Sequence, residues 1–489
     1  MPTNNTKQAA WISIGSLFSF GFSIVSSMIL SRYFDKGDYG TYRQVMYVYH
    51  TLLTVFTLGL PKTYSYFLPR VNANEAKDLI NKITGLFFIL GAVFSLTLFV
   101  GSPVISHILK NPDLTVALRY FSLVPFLMLP TMGLEGILAT YQKTKFLALY
   151  TIVTRVLMLL CVAIPVMLFD LDYIGAIKGF VIASFFAFLL AMFLKSYPVR
   201  KYKKDKTLIT YKEIFQFSLP LLYASMWGVL MNSSDQFFIS RHFGTEVFAE
   251  YSNGSMELPF IGMVVAACST VLSPIFSRLA HEKVDLKTHA FPLWKSVFEK
   301  TAKLIYPLIV FCWVFADLIM VFLYGGKYET SQIYFRIKIF TYVFSLVVYG
   351  PFLINTGKVK FYANVTALFA IVIWPLEYFS VILTNSPYSV SVVSVICHIA
   401  RVMVSLYAVS RMFDVRLYQL FPIRLTALII IPSVLFLFFE KYLIVKYLTV
   451  SPLISLIIGL LLYLVFYLIY AKLVRIDYVS LIKPLLSKK

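Results

Sequence analysis

The sequence predicts an all-α polytopic membrane protein of about fourteen transmembrane helices. They are arranged as two parallel six-helix bundles, a pseudo-two-fold repeat, with two extra helices at the C-terminus. Three observations predict this class. Of 489 residues, 59% are hydrophobic and only 14% charged, and the mean hydropathy is +0.79, whereas a soluble domain is nearer half apolar and a quarter charged. The apolar residues lie in long unbroken runs, unlike the ~10-residue alternating stretches of a membrane β-barrel. One short segment recurs at matching points of the two halves. A soluble enzyme, a disordered chain and a secreted disulfide scaffold all fit this composition poorly.

A membrane-spanning helix needs roughly 20 mostly apolar residues. Candidates lie at 9–31, 44–68, 83–104, 119–140, 147–168, 173–194, 214–239, 248–276, 303–323, 334–356, 362–383, 388–410, 421–440 and 448–470. The first follows a short polar start without a small-residue cleavage site and reads as a retained helix. The longest loops, 195–213 and 277–302, are too short for a folded catalytic domain. The predicted organisation is an N-terminal six-helix bundle over 1–194, a basic cytoplasmic linker over 195–213, and a second bundle over 214–410. Two additional helices and a basic cytoplasmic tail occupy 411–489.

The net charge of +21 would suggest nucleic acid in a soluble protein. Here it follows the positive-inside rule, and no nucleic-acid partner is expected. With both termini cytoplasmic, inner segments together with the adjoining span ends hold 29 basic residues, outer loops with theirs 12, and three (Lys62, Arg155, Arg401) lie deeper within spans. The densest inner run, KSYPVRKYKKDK at 195–206, reads either as a topology signal or as an anionic-lipid site. Cys161, Cys268, Cys312 and Cys397 sit singly in apolar runs without metal spacing and read as packing residues. The segment 285–300 alternates basic and aromatic residues. Pro292 divides it, which suits an interfacial helix or an elbow before the next span.

The repeat pairs SRYFDKGDYGTY (31–42) with SRHFGTEVFAEY (240–251) at an offset of 209. Ser31/Ser240, Arg32/Arg241, Phe34/Phe243 and Tyr42/Tyr251 are identical. Each copy closes the first span of a six-span block. Six is even, so the blocks would be parallel repeats about an axis along the membrane normal, an arrangement that suits a transporter working by alternating access.

The segment ILSRYFDKGDYGTYRQV (29–45) resembles the signature after the first helix of polysaccharide-biosynthesis flippases. SSDQFFISRHFGTEVFAEYSN (233–253) resembles its counterpart after helix seven. SPVISHILKNPDLTVALRYFSL (102–123) and VFLYGGKYETSQIYFRI (321–337), the latter with an aromatic-Gly-x-x-Tyr turn, are similar to further family segments. Together with the span layout, the resemblance covers nearly the whole chain. The family belongs to the multidrug/oligosaccharidyl-lipid/polysaccharide exporter superfamily, with the MATE exporters and the lipid II flippase, and implies a MATE-like fold. It also implies a cargo, an oligosaccharide repeat unit on undecaprenyl pyrophosphate. That cargo would be turned over in the bacterial cytoplasmic (inner) membrane for O-antigen, capsule or exopolysaccharide synthesis. The second copy departs from the first, with Gly244 for Asp35 and Ala249 for Gly40, so the halves need not act alike.

Such a cargo needs a wet, cationic path across hydrocarbon, because a charge in lipid costs several kcal/mol. No bond breaks, so no catalytic residue, metal or other cofactor is expected beyond a coupling ion, H⁺ or Na⁺. The chain carries no HExxH, P-loop or GxSxG motif. The candidates are therefore charges deep in spans. Arg401 lies midway along 388–410, with His398 and Ser405 on its helical face, and serves either a cavity or a structural ion pair. Arg155 lies roughly 12 Å into its span at 1.5 Å per residue, as an anion site or a snorkelling residue. Lys62 follows Gly59 and Pro61, where a broken helix would form a head-group site unless the side chain snorkels. Arg32 and Arg241 are the repeated outer cations, either gating the pyrophosphate or complementing helix ends. Glu257, about nine residues into its span, is an ion-coupling candidate or a partner for Arg401. Asp235, in a polar cluster, is an ion site or an interfacial residue. Glu135, Asp317 and Glu377 rank below these.

The expected partners are the lipid-linked oligosaccharide, membrane lipids, and a polysaccharide polymerase and glycosyltransferases. Two rivals remain. One is an ion-coupled small-molecule exporter of the same superfamily. The other is a membrane glycan polymerase or ligase, which the short outer loops disfavour.

Overall fold

The chain is described by a computed structural model over residues 5–282, 284–346, 349–448, 450–476 and 478. The described residues form helices and turns. Among the described residues, eleven helices are long and apolar enough to cross a membrane, or thirteen if two bent pairs each count as one span. Fourteen is not reached, because the expected span at 44–68 is interrupted. Side chains such as Phe169, Leu383 and Leu473 are 70%, 80% and 77% exposed, a surface that suits lipid rather than water. The chain is a multi-pass membrane protein.

Contacts gather into two compact units that divide between Ala249 and Glu250. The first unit begins with α1 (Asn5–Tyr33), α2 (Lys36–Phe56), α3 (Pro61–Phe67) and α4 (Ala73–Leu109). It continues with α5 (Asp113–Phe121), α6 (Leu123–Met128), α7 (Leu134–Thr140), α8 (Thr144–Met158), α9 (Ile164–Phe169) and α10 (Tyr173–Ser196). It ends within α11 (Tyr211–Gly254). The interruption at 44–68 has a local cause. Leu58 and Gly59 take left-handed backbone (φ 47° and 70°), and Pro61 opens α3 without an amide donor. Gly59 is required there. A Cβ on it would meet the Ser218 carbonyl oxygen at 2.4 Å, so α11 packs directly on the break.

The two repeat copies break at the same point. Asp35 ends the turn after α1 with extended backbone and accepts the Asp38 amide at 2.7 Å. At the matching position Gly244 has φ 85°, which bends α11. The aspartate closes its turn with a side-chain cap and the glycine bends by backbone freedom, so the two copies break at the same position with different backbone angles. Ser31 and Ser240 are both fully buried. Ser240 Oγ accepts from Gln44 Nε2 at 2.8 Å, and Gln44 Oε1 accepts from Asn111 at 2.6 Å.

The second unit holds α12 (Pro259–His281), α13 (Leu286–His289), α14 (Phe291–Val314), α15 (Ala316–Tyr324), α16 (Ser331–Ser345) and α17 (Tyr349–Asn355). It closes with α18 (Val359–Thr384), α19 (Pro387–Met412), α20 (Ile423–Tyr447) and α21 (Pro452–Leu473). The 285–300 segment is the elbow variant: α13 is a single turn, and Pro292 falls in the first turn of α14. α14 and α15 meet at 74°. Irregular backbone at membrane depth needs other partners for its carbonyls. Lys441 Nζ donates to the Val314 carbonyl at 2.9 Å and Arg336 Nε to that of Trp313 at 3.1 Å. Asp317 balances both cations, at 2.5 Å from Lys441 and 3.7 Å from Arg336.

Candidate functional site: intramembrane cations in each unit

In the first unit, α1 and α8 approach so closely that a Cβ on Gly15 would lie 3.1 Å from Ala148 Cα. Small residues at such a crossing let backbones meet. One turn further along α1, Ser19 Oγ accepts from Arg155 Nε at 2.8 Å. Arg155 is exposed on this surface, and Tyr150 lies one turn before it on α8. His50 of α2 has Arg43 and Arg155 as its charged neighbours. Two arginines thus stand beside one imidazole, and positive charges of this kind attract anions. Lys62 is exposed at the start of α3, beside the helix break that Pro61 predicted.

The repeated arginines do different things. Arg32 is exposed at the end of α1. Arg241 Nη1 donates to the Ile108 carbonyl in the last turn of α4, complementing the negative end of that helix. Asp235 is 2% exposed, which removes the interfacial reading; its carboxylate accepts the Gln236 amide at 2.8 Å.

In the second unit, Arg401 lies half-buried in α19. Its guanidinium partner is the Tyr349 hydroxyl, and its own carbonyl accepts from Ser405 Oγ at 2.9 Å. Its Nε is buried with no acceptor among the described residues. His398 lies one turn earlier on α19, half-buried. Glu257 is not nine residues into a helix. It sits exposed in the break between α11 and α12, because Pro259 starts α12 afresh. The neighbour of Glu257 is Tyr342, whose hydroxyl accepts the Leu258 amide at 3.4 Å. Arg401 and Glu257 thus have separate partners, and the expected pair between them is not made.

Several charges escaped the sequence reading. Lys338 lies seven residues into α16; its Nζ donates to Ser394 Oγ at 3.2 Å and stands 5.6 Å from the Tyr251 ring. Arg43 and His50 share a face of α2 at an i, i+7 spacing. Lys195 was assigned to a loop but is buried in the last turn of α10. Glu440 of α20 is 4% exposed, and both its carboxylate oxygens lack a hydrogen-bond partner among the described residues. Asp317 is spent on the α14–α15 break described above.

A profile of the family described as "Polysaccharide biosynthesis protein" matches residues 6–280. The succinoglycan biosynthesis transport protein ExoT of Rhizobium meliloti (strain 1021) is 21% identical over 331 residues, 66% of this chain. The matched stretch spans 63% of that relative's length. Among solved structures, the lipid II flippase MurJ in an inward closed conformation aligns with a TM-score of 0.70 and 16% identity, covering 94% of this chain and 98% of that one. An inward-facing multidrug resistance MATE family transporter of the MOP superfamily gives 0.63 and 13%, covering 84% and 99%. The fold is therefore the MATE-like one that the sequence predicts.

Proposed function

The chain belongs to the polysaccharide biosynthesis protein family, and on that premise we propose that it is a flippase. Its substrate is an undecaprenyl-pyrophosphate-linked oligosaccharide repeat unit, which it carries across the bacterial cytoplasmic membrane by alternating access. The product feeds O-antigen, capsule or exopolysaccharide synthesis, and both termini face the cytoplasm. No bond is made or broken. The transport role named for the succinoglycan relative and the flippase role named for MurJ support the reading.

The observation that carries it is Arg401. Its half-buried guanidinium meets a hydroxyl, with one N–H left unspent. A purely structural arginine would be expected to face an acid. In this reading Arg401 and His398 of the second unit, and Arg155 and Lys62 of the first, each meet the pyrophosphate and glycan during transport, and Arg32 and Arg241 meet them on the outer side. The coupling ion, H⁺ or Na⁺, is taken at Glu257 or Asp235. Glycosyltransferases act upstream and a polymerase downstream on the same lipid.

The test is reconstitution of the full chain into liposomes holding fluorescent lipid-linked oligosaccharide, with turnover read by exposure to an added lectin. Faster turnover with protein supports the flippase. No turnover, together with efflux of cationic dyes, would replace it by the exporter reading.

A further inference from the structure

The start of α4 and the end of α10 enclose a cavity of about 550 Å³, within the first unit. Its polar lining includes Lys77, Asn81, Thr84, Lys195 and Arg200, three cations and no carboxylate. The nearby acids are turned elsewhere. Asp78 pairs with Lys204 at 3.3 Å and accepts the Thr207 amide at 3.0 Å. Asp205 accepts from Asn74 at 3.0 Å.

Lys195 is the anomaly. It is 2% exposed. Its Nζ lies 3.2 Å from the Tyr64 hydroxyl, 4.8 Å from the Tyr64 ring and 5.4 Å from the Phe87 ring. These groups solvate an ammonium but carry no countercharge. A cation taken out of water needs an anion to repay the loss. Around it the unit is rigid, since Leu134, Leu138, Ala191 and Leu194 form a buried cluster of α7 and α10. The cavity's rim is apolar: Phe193 and Tyr197 border it and are 53% and 40% exposed. An aromatic rim beside a basic pocket is what an interfacial lipid site presents.

We propose that this cavity binds a phosphate group, with Lys195 as its buried countercharge and Lys77 and Arg200 as flanking donors. The carrier of that phosphate is an acidic phospholipid, whose headgroup fills the cavity while its acyl chains run over Phe193 and Tyr197. Charge-assisted hydrogen bonds to phosphate are the strong kind. It makes the basic run at 195–206 more than a topology signal, because its first residue is the one buried in the pocket.

The experiment is lipid titration of the purified full chain in neutral detergent, read by native mass spectrometry and by the melting midpoint. The probes are phosphatidylglycerol, phosphatidylcholine and inorganic phosphate, against wild type and Lys195→Met. The expected result is preferential phosphatidylglycerol binding by wild type, weakened about tenfold or more in the variant, the loss of one charge-assisted contact. Protection of wild type alone by inorganic phosphate would keep the site and make a soluble anion its ligand. Equal binding of phosphatidylglycerol by wild type and variant would overturn the proposal. If Lys195→Met does not accumulate, the pair Lys77→Gln and Arg200→Gln, at less buried positions, gives the same comparison. Equal phosphatidylglycerol binding there is equally fatal.

Discussion

Replacing Asp317 by Asn removes one negative charge from the bend between α14 and α15. Two carbonyls freed by that bend are held by Lys441 and Arg336, and Asp317 is the acid that balances both. Without it, two cations stand together beside the break, with side chains only 16% and 33% exposed. Removing one partner of a fully buried pair costs about 3–5 kcal/mol, and an exposed pair about 0–1 kcal/mol. This network lies between those limits, and we expect a loss of about 2 kcal/mol. A thiol-reactive fluorogenic dye is a suited assay, because Cys312 sits in α14, two residues before the break. The Asp317→Asn protein should expose its thiols several degrees below wild type. The exposed acid Glu329, changed to Gln, is the control and should stay within about 0.5 kcal/mol of wild type. If both variants melt alike, the break is held by something other than this network.

Other expectations are independent of that one. Arg401→Gln should cut oligosaccharide turnover about tenfold or more while protein level holds, and Arg401→Lys should recover part of it; unchanged turnover in the Gln variant removes Arg401 from the path. Gly59→Ala should lower the yield of folded protein sharply. It adds about 1–2 kcal/mol of left-handed backbone strain to a clash with the Ser218 carbonyl 2.4 Å away, and a normally melting Ala variant would refute the packing. Asp38, in the turn after α1, is pushed up to about 6 by burial, then by the neighbouring carboxylates Asp35, Asp172 and Asp113. The folded state therefore holds this proton more tightly than the unfolded state, so stability falls as pH rises from about 4 to about 6. Asp38→Asn should flatten that decline in a melting series, and an equally steep decline in the variant would contradict the assignment.

The spans were legible because hydropathy is a bulk property of each run. Their ends were not, because a hydropathy reading stops at the first charge. Lys195 was assigned to a loop on that ground, yet its helix continues past it, while Lys338, inside the span 334–356, was counted with the outer charges and not among the deep ones. Tyr64, Phe87, Tyr251 and Ser394 supply rings and hydroxyls that let a lysine stay inside, and these partners are distant in sequence. Glu257 shows the opposite error. The proline two residues later marks a helix start, and an apolar run on both sides concealed it. The repeat at 31–42 and 240–251 was visible as four identities. That the chain bends at both Asp35 and Gly244, by different means and with different backbone angles, was not visible in those identities.

The central claim is that this chain moves lipid-linked oligosaccharide from one membrane face to the other. The direct measurement is the pool of undecaprenyl-pyrophosphate-linked oligosaccharide in cells with and without the chain, resolved by membrane face. The account predicts that loss of the chain traps this lipid on the cytoplasmic face, and that wild-type protein, but not Arg401→Gln, releases it. Pools of the same size on both faces, with and without the chain, would contradict it.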